Sequence, residues 1–121
     1  MNFLKIAALS AAVAIALGAF GAHALKESLA ANGMTETWKT AVLYHLTHSL
    51  ALFALALRSG GVGKGPALWS ARLWCAGILL FSGSLYGLAL GGPSILGPIT
   101  PLGGLSFIAG WVALVFAKPT R

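Results

Sequence analysis

Aspartate is absent from this chain, and Glu27 and Glu36 are the only acidic residues among 121. A Ser-His-Asp triad therefore cannot be assembled. Neither glutamate falls inside an apolar run. No span thus carries the buried carboxylate with which a proton-driven exporter normally exchanges protons for substrate. Cysteine is almost as scarce. Cys75 stands alone, which rules out an intrachain disulfide and reads as a small packing residue in an apolar helix. Charge of either sign is thin, at 8% of residues against about 25% in an ordinary soluble domain. A soluble protein of this size has much surface for its volume, and so few charges cannot cover it. A bilayer removes that difficulty, because lipid wets apolar surface.

Hydrophobic residues are plentiful, at 58%, and they gather into four runs. The runs predict helices over about 6–25, 38–57, 73–90 and 101–117. A helix crosses a bilayer in about 20 residues, and backbone facing lipid must satisfy its own hydrogen bonds. The expected fold is an all-α membrane protein, a four-helix transmembrane bundle forming a single polytopic domain over 1–121. The first run has a basic start, and Ala22-His23-Ala24 resembles a cleavage site. The run is longer than the core of a signal peptide, so we expect it to be kept as a span.

The links add detail. Residues 25–31 suggest a short interfacial helix. Residues 58–72 are basic and rich in glycine and read as a loop. Residues 91–100 form an uncharged link in which Thr100 could cap the last helix, with Pro101 in its first turn. With the N-terminus inside, Lys5, Arg58, Lys64, Arg72, Lys118 and Arg121 are cytoplasmic, and only Lys26 and Lys39 lie outside. This bias predicts that both termini are cytoplasmic. The basic residues are scattered at the ends of apolar runs and form no patch, so no nucleic-acid partner is expected.

Gly83, Gly87 and Gly91 recur every four residues and predict a smooth face for close helix packing. Ala14, Gly18 and Ala22 on the first helix, and Ala109, Ala113 and Ala117 on the fourth, suggest similar stripes. The polar candidates inside the spans are His23, Tyr44, His45 and His48, with Ser84 and Tyr86 on the third helix. His45 and His48 are three residues apart and so share a helix face. The first reading is an interhelical hydrogen-bond cluster in the outer half of the membrane, with no metal and no cofactor. The second is a site where the His/Tyr cluster holds a metal, a haem or a lipid-like ligand. No enzyme is expected, since the Gly60–Lys64 stretch lacks the phosphate-loop pattern.

The stretches Gly18-Ala19-Phe20-Gly21-Ala22-His23-Ala24-Leu25, Trp38-Lys39-Thr40-Ala41, Tyr44-His45-Leu46-Thr47-His48, Phe81-Ser82-Gly83-Ser84-Leu85-Tyr86 and Ile99-Thr100-Pro101-Leu102-Gly103-Gly104, with Gly110-Trp111, resemble the family of domain of unknown function 423. Its eukaryotic members are called transmembrane protein 256. The resemblance spans nearly the whole chain. It implies a small multi-pass protein of the bacterial inner membrane with no activity to carry over. The expected role is structural, accessory or assembly-related within a membrane complex. The expected partners are the lipid bilayer and other membrane-protein subunits or a second copy.

Overall fold

The computed structural model describes residues 2–58 and 60–119, and all the regular structure among them is helical. The helices are α1 (Phe3–Ala22), α2 (Lys26–Ala31), α3 (Thr35–Ala56), α4 (Pro66–Gly77), α5 (Gly83–Ala89) and α6 (Leu96–Val115). A π-helical turn, Ile78–Ser82, joins α4 to α5 without a break. Three segments are long and apolar enough to cross a membrane: α1, the continuous Pro66–Ala89 and α6. The 22-residue α3 is long enough but less apolar, because it carries Glu36, Lys39, both histidines and several hydroxyls.

The helix ends differ from the sequence expectation for local reasons. Asn2 caps α1, its side chain accepting from the Lys5 amide at 3.2 Å, so the helix starts at Phe3 and stops before His23. Pro66 opens α4, where its missing N–H has no partner to lose. Residues 66–72 are thus helix and not loop. α6 starts at Leu96, ahead of the expected Thr100 cap. Pro98 sits in the first turn, whose amides are unpaired in any helix, and Pro101 is tolerated inside the helix. The Thr100 hydroxyl bonds back to the Leu96 carbonyl at 3.2 Å instead of capping.

α3 is the hub. It packs against α1 on one side and against the π-turn and α5 on the other, while α6 lies along α4, the π-turn and α5. Phe3, Leu55, Ala67 and Trp74 belong to one buried apolar cluster. The starts of α1 and α4 therefore meet the end of α3 at one pole of the molecule. Large apolar side chains such as Leu9, Leu79 and Val115 point outward, at 69%, 74% and 77% exposure.

The glycines that permit close approach are not those that the four-residue spacing suggests. A Cβ on Gly103 would lie 2.2 Å from the Phe81 amide nitrogen, so α6 touches the backbone of the π-turn there. Gly110 lies under the Trp74 ring and Gly77 under Phe107, each with room for hydrogen only. Gly87 is tight only against the Leu96 side chain. Gly83 faces open space: its nearest foreign atom would be the Ile78 carbonyl at 3.8 Å. Gly91 lies beyond α5 and takes a positive φ of 88°, a turn conformation that glycine adopts without steric cost. The Gly83–Gly87–Gly91 face is thus not a continuous packing groove. On α6 the buried residues are Gly103, Phe107 and Gly110, while Ala109 of the expected stripe is exposed.

Candidate functional site: a hydrogen-bonded histidine core

His45 and His48 turn inward from α3 and are almost fully buried. Their hydrogen positions follow from their partners. The Trp111 indole N–H can only donate, so His48 Nε2 accepts from it at 3.0 Å. The Tyr44 carbonyl can only accept, so His48 Nδ1 carries the proton and donates at 2.8 Å. His48 is therefore a neutral Nδ1–H imidazole with both nitrogens engaged. Its ring stacks on Phe107 with centroids 3.7 Å apart.

The same logic orders the bonds around His45. Ser49 donates its only proton to the His45 carbonyl at 2.8 Å. Ser10 must then donate to the Ser49 hydroxyl at 2.6 Å. The Ser10 oxygen is left to accept from His45 Nε2 at 3.1 Å, and His45 Nδ1 accepts from the Tyr86 hydroxyl at 2.9 Å. Four side chains on α1, α3 and α5 form one directional chain with every proton placed. Tyr86 also packs on Trp38, with centroids 4.9 Å apart, and the Trp38 indole donates to the Leu17 carbonyl at 2.8 Å.

Smaller hydroxyls join the remaining helices. Ser82 donates to the Ala41 carbonyl, Ser70 to the Gly110 carbonyl and Ser106 to the Leu73 carbonyl, at 2.7–2.8 Å. Ser84 shares a hydrogen bond with Thr100. One buried donor, Trp74 Nε1, has no partner among the described residues.

Of the residues singled out by sequence, His45, Tyr86 and His48 form the core, with Ser84 bridging α5 to α6. Tyr44 contributes its carbonyl, while its ring packs on Phe81 at 4.8 Å. His23 does not belong: it caps the end of α1 and is exposed. The cluster also lies deeper than expected. His45 is central in α3, not in its outer half. Ser10, Ser49 and Trp111 escaped sequence reasoning. Ser10 gave the clearest signal, as the only side chain able to hydrogen-bond between Lys5 and His23.

As a metal site this arrangement is poorly prepared. A cation at His48 would displace either the Trp111 donor or the Tyr44 carbonyl, and one at His45 would break the ordered chain. Among the described residues no three His, Cys, Asp or Glu side chains converge.

Comparison with known proteins fits this architecture. No solved structure is significantly similar. The family described as "Protein of unknown function (DUF423)" matches residues 17–104. The UPF0382 membrane protein YwdK of Bacillus subtilis is 45% identical over 95% of this chain and 94% of its own length. A UPF0382 membrane protein of Haemophilus influenzae is 41% identical over 97% and 93%. The UPF0382 membrane protein C1782.12c of Schizosaccharomyces pombe is 38% identical over 95% and 99%. With a family match over most of its residues and relatives this similar from end to end, the chain belongs to the DUF423 family of UPF0382 membrane proteins.

Proposed function

We propose that this is a multi-pass protein of the bacterial plasma membrane, with four spans and both termini in the cytoplasm. Its role is structural or accessory within a membrane assembly, and it is not an enzyme. The observation that carries this reading is the engagement of both nitrogens of both buried histidines within the protein. Side chains that already satisfy one another lock helices together and leave no open coordination position or free base for chemistry. Hydrogen bonds of this kind between membrane helices contribute about 0.6 kcal/mol each on average.

The topology has its own support. α3 supplies the fourth span at roughly 33 Å, taking 1.5 Å per residue over its 22 residues. Its His45, His48 and Ser49 side chains turn toward α1, α5 and α6 and away from lipid. Lys5, Arg58, Lys64, Arg72 and Lys118 gather at the pole where α1 and α4 begin, and Lys26 and Lys39 lie at the other. That asymmetry favours the basic pole as cytoplasmic. Arg121, counted with it from the sequence, lies outside the described residues.

Purification in mild detergent tests the role. Metal analysis and an absorption spectrum should show no stoichiometric metal or chromophore, and mass spectrometry should find other membrane subunits or a second copy at fixed ratio. A bound metal or haem lost on His45→Ala or His48→Ala, with the fold kept, would overturn the structural reading in favour of a ligand-binding one.

A further inference from the structure

α1 packs along α3 but scarcely touches α4 and α5. A cleft is left between them, with α3 as its floor. Its apolar stretch encloses about 430 Å³ and is lined by Leu9, Val13, Cys75, Leu79 and Gly83, with His45 beneath. That volume is within the usual range of small-molecule sites, about 300–1,000 Å³. The polar atoms at its floor offer little to a polar guest. The protons of His45, Ser10 and Tyr86 are already donated within the protein. The stretch therefore suits a hydrocarbon chain.

The same pair of helices carries the cleft on to the pole where they begin. There a second cavity of about 770 Å³ is lined by Asn2, Leu4, the Gly60–Gly63 backbone, Lys64 and Arg72. Arg72 and Ile6 mark the junction: Arg72 lies one turn before Cys75, and Ile6 one turn after Phe3. Lys64 and Arg72 are exposed. Both acidic side chains of the chain, Glu27 and Glu36, lie at the opposite pole. The cleft is thus apolar along the span and cationic at the membrane surface, and basic pockets between spans on the cytoplasmic side suit anionic headgroups.

We infer that this cleft holds one anionic phospholipid, with an acyl chain along α1 and α5 and its phosphate at Lys64 and Arg72. The inference rests on reading α1 and α4–α5 as spans. It rests also on the proposed cytoplasmic placement of the basic pole and needs no partner protein. Gly83 has a particular part, since its missing side chain leaves space for the chain and not for another helix.

The test is native mass spectrometry of the purified full chain with phosphatidylglycerol and phosphatidylcholine added in equal amounts, alongside thermal unfolding in detergent. One phosphatidylglycerol should be retained per chain, and only that lipid should raise the unfolding temperature. Lys64→Gln and Arg72→Gln should each weaken the preference by about fivefold. Gly83→Leu should fill the cleft and abolish retention, while lipid-free unfolding stays unchanged. Equal retention of the two lipids would overturn the proposal. So would undiminished retention by Gly83→Leu, equal stabilisation by inorganic phosphate alone, or a dimer held through this face in place of lipid. Because binding is read in detergent, a negative result leaves the topology and the structural role to their own tests.

Discussion

His48 and Trp111 join α3 to α6 through a single bond, N–H to Nε2 at 3.0 Å, and a double-mutant cycle can weigh it. Thermal unfolding of His48→Ala, Trp111→Phe and the double variant in detergent should give a coupling of about 0.6 kcal/mol and no more than about 2. A coupling indistinguishable from zero would mean that the bond is not formed. Nitrogen NMR should in turn show His48 as the Nδ1–H tautomer, and a dominant Nε2–H form would contradict the proton assignment. The inward pairing of these histidines was legible from their three-residue spacing, since an imidazole facing acyl chains leaves polar atoms unsatisfied. Their partners were not. Ser10, Ser49 and Trp111 are ordinary residues in apolar runs, and which of them meets a histidine depends on how distant helices rotate against one another. His23 misled for a local reason: the helix ends one residue before it, so it shares no face with the others.

At the scale of elements, α6 touches the backbone of the π-turn, and Gly103 makes that contact possible. Gly103→Ala would push a methyl group against the backbone of Leu80 and Phe81, which cannot rotate aside. It should destabilise by about 1–3 kcal/mol. Gly83→Ala, in the same helical hairpin, should be neutral or slightly stabilising, because alanine favours helix by up to about 1 kcal/mol over glycine and nothing stands in its way. Unfolding in detergent distinguishes them, and equal losses at both sites would defeat the packing described here. The long helices were legible as apolar runs, three of them apolar enough to cross a membrane. Their ends were less so, because prolines 66, 98 and 101 look like breaks in a sequence and yet sit mostly where a helix needs no amide. The glycine spacing failed because a four-residue repeat describes one helix by itself. Which side of it meets a neighbour is set by the larger rings opposite, Trp74 and Phe107, and by the π-turn, for which the sequence shows no marker.

The whole molecule sets a polar cluster on α3 within an apolar core and also turns many large apolar side chains outward, as a soluble domain does not. The orientation proposed from the distribution of basic residues predicts that a reporter fused after Pro119 is active only in the cytoplasm. A periplasmic signal there would mean an odd number of spans, a cleaved first segment or an inverted orientation. The hub position of α3 has a consequence for biogenesis. A segment bearing two histidines, a glutamate and a lysine is a poor substrate for the translocon, which partitions each segment largely by its own hydropathy. α1, synthesised first, is apolar enough to enter alone and brings Ser10 with it. In an insertion assay α3 by itself should stay largely outside the bilayer, and α1 placed ahead of it should raise the inserted fraction. Full insertion of isolated α3 would contradict this. On the expected result, the first helix serves as a chaperone built into the chain, receiving a segment that the membrane alone would reject.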